Sequence, residues 1–82
     1  MVAAKTLPGG IPVQTLTVEE AQGVLYRAGV EISREYIQEG LREGLFPFGM
    51  AIQMNHYKYI IFKKKLADFI REYTGLEAVF ND

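Results

Sequence analysis

The sequence predicts a single α+β domain, mainly helical, in which two capped helices, a β-hairpin and a closing helix share one apolar centre. Three observations predict it. Thr17 and Ser33 are helix-start signals, each followed by apolar residues at helical spacing and then by a glycine stop. Segment 46–62 switches to aromatic and β-branched residues interrupted by a short polar stretch, the pattern of a hairpin. Leu66, Phe69, Ile70 and Tyr73 then return to the i, i+3, i+4, i+7 spacing of one helix face.

Taken in order, residues 1–16 read as a flexible N-terminal arm. Pro8, Gly9, Gly10 and Pro12 interrupt helix and strand alike, leaving Ile11, Val13 or Leu16 to dock on the domain. Thr17-Val18-Glu19-Glu20 fits a capping box, in which the hydroxyl satisfies one orphan amide and Glu20 reaches back to another. The spacing of Val18, Ala21, Val24 and Leu25 predicts a helix over 18–27, which Gly29 suits as its left-handed terminator. Ser33 caps a second helix over 34–43, closed by Gly44, with Tyr36, Ile37, Gly40 and Leu41 on its buried arc and Leu45 just beyond.

Two capped helices joined by a turn make a helix-turn-helix. Phe46–Ile52 and Tyr57–Phe62 are the predicted strands of the hairpin, with Gln53-Met54-Asn55-His56 at its tip. A helix over 63–73 stops at Thr74-Gly75, and a tail over 76–82 still carries Leu76, Val79 and Phe80. The predicted domain spans 17–75, and with the hairpin as a wing the architecture is a winged helix-turn-helix.

Several function classes find no support. The chain has 82 residues and no cysteine, so one core must hold the fold without disulfides or thiolate metal ligands. The single histidine, His56, cannot make a zinc site, and no cofactor is expected. No apolar stretch approaches the roughly 20 residues of a bilayer span. Met1 to Thr6 lacks signal-peptide character, so a cytoplasmic protein with no membrane partner is expected. Catalysis is not expected: Ser33 is explained as a cap, and Glu19 and Glu20 point about 100° apart on a helix. Gly9-Gly10 lacks the strand and lysine of a phosphate loop, and no small-molecule substrate is implied.

Charge is where the sequence turns informative. The net charge of −1 gives no overall attraction to nucleic acid, but the charges are segregated. Segment 17–44 holds six glutamates and three arginines, whereas 55–71 holds five cations and one acid. On the second helix Arg34, Gln38 and Arg42 line one stripe, and Glu35, Glu39 and Glu43 line the next. The first stripe suits base edges, arginine for guanine and glutamine for adenine. Both stripes equally describe a solvated helix face with i, i+4 charges, and the glutamates repel a polyanion unless the helix tilts them away.

Lys58, Lys63 and Lys64 are placed to neutralise phosphates without reading sequence. Asn55 and His56 either enter a minor groove or simply occupy an exposed turn. Tyr57 and Tyr59 read as sheet packing, and Met50 and Met54 as gap fillers or hairpin surface.

A family resemblance rests on an ordered set of segments. These are Leu16-Thr17-Val18-Glu19-Glu20-Ala21, Ser33-Arg34-Glu35-Tyr36-Ile37, Arg42-Glu43-Gly44-Leu45-Phe46-Pro47, Tyr57-Lys58-Tyr59-Ile60-Ile61-Phe62 and Lys65-Leu66-Ala67-Asp68-Phe69-Ile70. Over residues 16–73 the chain resembles the excisionase family of recombination directionality factors and, more loosely, the DNA-binding half of MerR-type regulators. It departs from them in a longer turn, Arg27-Ala28-Gly29-Val30-Glu31-Ile32, and a more acidic second helix.

The resemblance implies a phage or transposon protein whose second helix enters the major groove and whose wing meets the adjacent minor groove or backbone. Such a protein binds and bends double-stranded DNA beside an attachment site, or regulates transcription, with an integrase or a second copy as further partners. The alternative is a protein-interaction module of mobile-element origin that works through the acidic helix and the apolar tail.

Overall fold

The computed structural model describes residues 14–80. Among them run β1 (Thr15–Leu16), α1 (Val18–Arg27), α2 (Arg34–Arg42), β2 (Gly49–Gln53), β3 (Tyr57–Phe62) and α3 (Lys63–Thr74), three helices and a three-stranded antiparallel sheet.

The helix ends follow the local chemistry of the sequence. The Thr17 hydroxyl accepts from the Glu20 amide at 3.1 Å, and the Glu20 carboxylate accepts from the Thr17 amide at 2.8 Å, completing the capping box. Ser33 caps α2 by accepting from the Tyr36 amide. Both helices stop in the same way. Gly29 (φ 89°) and Gly44 (φ 72°) take the left-handed conformation that a side chain resists. The Val30 and Leu45 amides then reach back to the carbonyls of Leu25 and Gly40, each at 2.8 Å.

The sheet has the order β1-β3-β2. β2 and β3 form the expected hairpin, in register from Gly49 opposite Ile61 to Gln53 opposite Tyr57. Residues 54–56 turn the chain, with the Met54 amide donating to the His56 carbonyl at 3.1 Å. The sequence reading did not anticipate β1. Thr15 and Leu16 pair with Phe62 and Ile61, so the end of the presumed arm is the third strand, and the half-buried Leu16 docks on the core. A two-residue strand is too short for any periodicity to reveal. Ile11, Val13 and the rest of the arm to residue 13 lie outside the described residues.

Two further expectations are corrected. Residues 46–48 are not strand; they form an aromatic turn before β2. Phe46 stacks on Phe48 at 5.0 Å between ring centroids, and Phe69 of α3 meets Phe48 edge-on at 5.0 Å. Tyr36, expected on the buried arc, is 69% exposed. At about 100° per residue it lies about 140° from Leu41, outside the arc that Ile37, Gly40 and Leu41 share.

The core is entirely apolar among the described residues. α1 contributes Val18, Ala21, Val24 and Leu25, α2 contributes Ile37 and Leu41, and the remaining segments add Phe48, Ile61, Leu66 and Ile70. Residues 76–80 fold back onto this body instead of trailing away. The Arg27 guanidinium donates twice to the Val79 carbonyl, at 2.9 and 3.1 Å, Arg71 pairs with Glu77 at 3.0 Å, and Phe80 packs against the core.

Gly40 is the tightest point of the packing. A methyl group there would lie 2.2 Å from the Phe46 ring. Gly40→Ala should therefore lower the denaturation free energy by about 1–3 kcal/mol, despite the roughly 1 kcal/mol that alanine gains in helix propensity. In a Phe46→Leu background, urea denaturation should show that cost reduced, because the clashing ring is gone.

Candidate nucleic-acid interface

α2 presents its charged residues outward, but its two arginines are already engaged within the chain. Arg34 meets Glu19 of α1 at 2.8 Å and approaches Glu35 at 3.9 Å. Arg42 bonds to Glu39 and to the Tyr59 hydroxyl, and its guanidinium lies 5.5 Å from the centre of the Tyr57 ring. Gln38 is half-buried between them. The expected stripe therefore exists on one helix, but Arg34 ties α2 to α1 and Arg42 ties α2 to the hairpin. Sequence reasoning placed Tyr57 and Tyr59 in sheet packing; it missed that Tyr59 clasps α2, a contact no spacing rule could reveal.

These arrangements tune the charges without burying them. Hydrogen bonding from Arg34 holds the Glu19 carboxyl below its ordinary range, and Arg71 does the same for Glu77. The same bonds raise the already high values of Arg34 and Arg71, and the bonds to Glu39 and Tyr59 do so for Arg42.

The basic residues cluster elsewhere. Asn55 and His56 are exposed at the hairpin tip, and Lys58 is exposed on β3 opposite Ile52. Lys63, Lys64 and Lys65 fill the first turn of α3. Lys63 is half-buried, its ammonium 4.8 Å from the centre of the Phe80 ring. The Lys64 side chain is 87% exposed and makes only a 3.7 Å approach to Asp68, a surface pair worth little. Lys58 and Lys65 have no ion-pair partner among the described residues.

This turn differs from the other two helix starts. α1 and α2 begin with a hydroxyl cap and at least one glutamate, which suits the positive end of a helix dipole. α3 begins at Phe62 with no side-chain cap and no acid in its first turn, and instead stacks three lysines on that positive end. The Lys63 amide is satisfied by the Gln14 carbonyl at 3.1 Å. No side chain caps this turn, so its positive end and the exposed ammoniums of Lys64 and Lys65 together favour an anion. The missing cap was visible in the sequence, since Phe62 precedes the lysine run where Thr17 and Ser33 precede the other helices.

Other chemistry has less support. A cavity of about 500 Å³ lies between β1, α1 and the C-terminal segment, with Glu19, Glu20, Arg27, Lys63 and Phe80 in its wall and no histidine or serine. No cluster of potential metal ligands occurs among the described residues. Among them, too, no helix is long and apolar enough to cross a membrane. No protein-family model, curated protein or solved structure matches the chain.

Because Glu19 and Glu77 titrate lower folded than unfolded, their stabilisation is present at neutral pH and down to their ordinary value of 4.5, and is lost as pH falls further. Between neutral pH and about pH 3, a Glu19→Gln, Glu77→Gln double variant should lose less thermal stability than the wild type. Equal losses in parallel melting curves would show that these pairs add nothing.

Proposed function

We propose that the chain is a small DNA-binding protein of winged helix-turn-helix type, acting in the cytoplasm by binding rather than by catalysis. α1 and α2 serve as the helix-turn-helix pair, and the β2–β3 hairpin serves as the wing. The observation that carries this reading is the start of α3. Three lysines sit on a helix N-terminus without a side-chain cap, at a cost in helix stability, and the exposed Lys64 and Lys65 have between them only the 3.7 Å approach of Lys64 to Asp68 among the described residues. Local rules are broken in this way where a ligand supplies the compensation. The spacing and charge of a phosphate backbone suit that ligand.

In this reading Lys58, Lys63, Lys64 and Lys65 supply phosphate contacts that set position on the duplex. The hairpin tip, Asn55 and His56, reaches the adjoining groove or backbone. Arg34, Gln38 and Arg42 face the major groove, and base contact by either arginine exchanges an internal carboxylate for a base edge. The order of elements supports assignment beside the excisionases. On that basis the activity is binding and bending DNA near an attachment site, or regulating transcription, in a phage or mobile element with an integrase as a further partner.

One observation favours the alternative, a protein-interaction module. Arg34 and Arg42 are both bonded within the chain, leaving Glu35 and Glu43 as exposed charges on α2.

Gel shifts over a salt series separate the two readings. Lys64→Ala and Lys65→Ala should each weaken binding uniformly across DNA sequences and reduce the slope of log affinity against log salt by about 1. Joint reversal of both lysines to glutamate should abolish binding while the fold persists. Wild-type protein that ignores DNA at low salt would favour the protein-interaction module.

A further inference from the structure

The free edge of β2 carries an inference independent of DNA. Backbone groups in an antiparallel pair alternate, facing the neighbouring strand at one residue and away from it at the next. The Phe62 amide donates to the Phe48 carbonyl at 2.9 Å, and the Met54 amide to the His56 carbonyl at 3.1 Å. With the register fixed between them, the even-numbered residues of β2 face β3. The N–H and C=O groups of Gly49, Ala51 and Gln53 therefore point away from it. β1 lies on the far side of β3, and no described residue outside the sheet bonds to these groups.

Exposed edges are usually protected by charge, proline or a bulge. The segment Gly49-Met50-Ala51-Ile52-Gln53 has neither a charge nor a proline. On the opposite side of the hairpin β3 carries Lys58, a charge of the kind that discourages pairing. Met50 and Ile52 share one face of β2 and are 44% and 40% exposed.

We infer that this edge is a self-association surface, on which β2 of a second copy pairs antiparallel about a two-fold axis through Ala51. In that register Ala51 faces its own equivalent, and Gly49 faces Gln53 of the second copy. All three outward-facing residues then find matching donors and acceptors. The same register sets Met50 beside Ile52 of the second copy, twice, so each exposed apolar side chain acquires an apolar cross-strand neighbour. No charge opposes a charge anywhere along it. The strand is its own complement, which is what an isologous dimer requires. A single five-residue strand pair falls at the small end of interface sizes, below about 1,200 Å², so the dimer is weak and forms at high protein concentration or when another contact brings two copies together.

The absence of cysteine makes the register directly testable. Met50 and Ile52 of the second copy form a non-hydrogen-bonded pair, where α-carbons lie about 4.5 Å apart, inside the range a disulfide spans. A Met50→Cys, Ile52→Cys double variant should cross-link into reducible dimers at least tenfold faster than Leu45→Cys, whose site is 72% exposed but off the edge. Ala51→Pro removes only an outward-facing donor, so the hairpin should survive while dimer is lost in sedimentation of concentrated protein. Ile52→Glu faces Lys58 within its own hairpin but places like charges on the paired strands of the two copies, and should have the same effect, deciding the matter if the proline variant fails to fold. Cross-linking no faster than the Leu45→Cys control would overturn the inference. So would an Ile52→Glu protein that dimerises like the wild type, or an edge that captures a different protein and excludes a second copy.

Discussion

Phe48 can be buried in this domain only because Gly40 leaves space for Phe46 beside it. The Phe46 ring occupies the position that any side chain at residue 40 would claim, and it is stacked on Phe48, which in turn meets Phe69 of α3. Three parts of the chain depend on that arrangement: α2, the aromatic turn that launches the hairpin, and the closing helix. The base of the hairpin is also held by the β1–β3 pairing and by Ile61 in the core, while its tip projects outward with Met54 largely in solvent. A domain of this size has few buried side chains to spare, so one displaced ring alters the direction of the whole projection. The position of the hairpin relative to α2 therefore depends on the packing of Phe46 at Gly40 together with the Arg42 contacts to Tyr59 and Tyr57.

Charge is distributed with equal economy. The acidic half of the chain spends its arginines internally: Arg34 joins α1 to α2, Arg42 joins α2 to Tyr59, and Arg27 holds the C-terminal segment through the Val79 carbonyl. These are exposed contacts of modest individual worth, but together they fix the relative positions of elements whose apolar contact is limited. Lys63 packs its ammonium on Phe80, but Lys58 and Lys65 form no ion pair among the described residues, and all three lysines of 63–65 stand where a helix end would prefer acids. That division, arginines binding the protein to itself and lysines left at an unfavourable helix end, places the available positive charge along β3 and the first turn of α3.

Much of the architecture was legible because it rests on local rules. Thr17, Ser33, Gly29 and Gly44 mark helix ends through interactions confined to a few neighbouring residues, and the hairpin announced itself through β-branched and aromatic content. What was not legible depends on distance in sequence. β1 is two residues long and exists because β3 offers it partners, and the fold-back of residues 76–80 depends on Arg27, which lies 52 residues from Val79. Tyr36 was misplaced for a different reason. A helix as short as α2 buries a narrow arc, and a large aromatic residue at its margin goes to solvent when the adjacent space belongs to Phe46. The candidate contacts were legible as a list of charged residues but not as a surface. Spacing put Arg34 and Arg42 on one stripe, yet only the fold shows them consumed by Glu19, Glu39 and Tyr59.

The near-neutral balance of the chain and a weak self-association fit together physically. A protein with net charge −1 gains little from long-range attraction to a polyanion, and its few lysines could supply only a small number of phosphate contacts. On the proposed function one copy would bind weakly, whereas two copies joined edge to edge would bind as a pair, making the second attachment intramolecular and raising overall affinity without any new contact to the ligand. The hairpin is a natural place for such a joint, because β2 carries the free edge while β3 and the turn that follows it carry the lysines. Pairing through β2 would make one six-stranded sheet with a basic α3 start at each side, and the two cationic ends would be held at a fixed separation by the sheet. A fixed separation selects among ligands by spacing, which a lone, nearly neutral domain cannot do with charge alone.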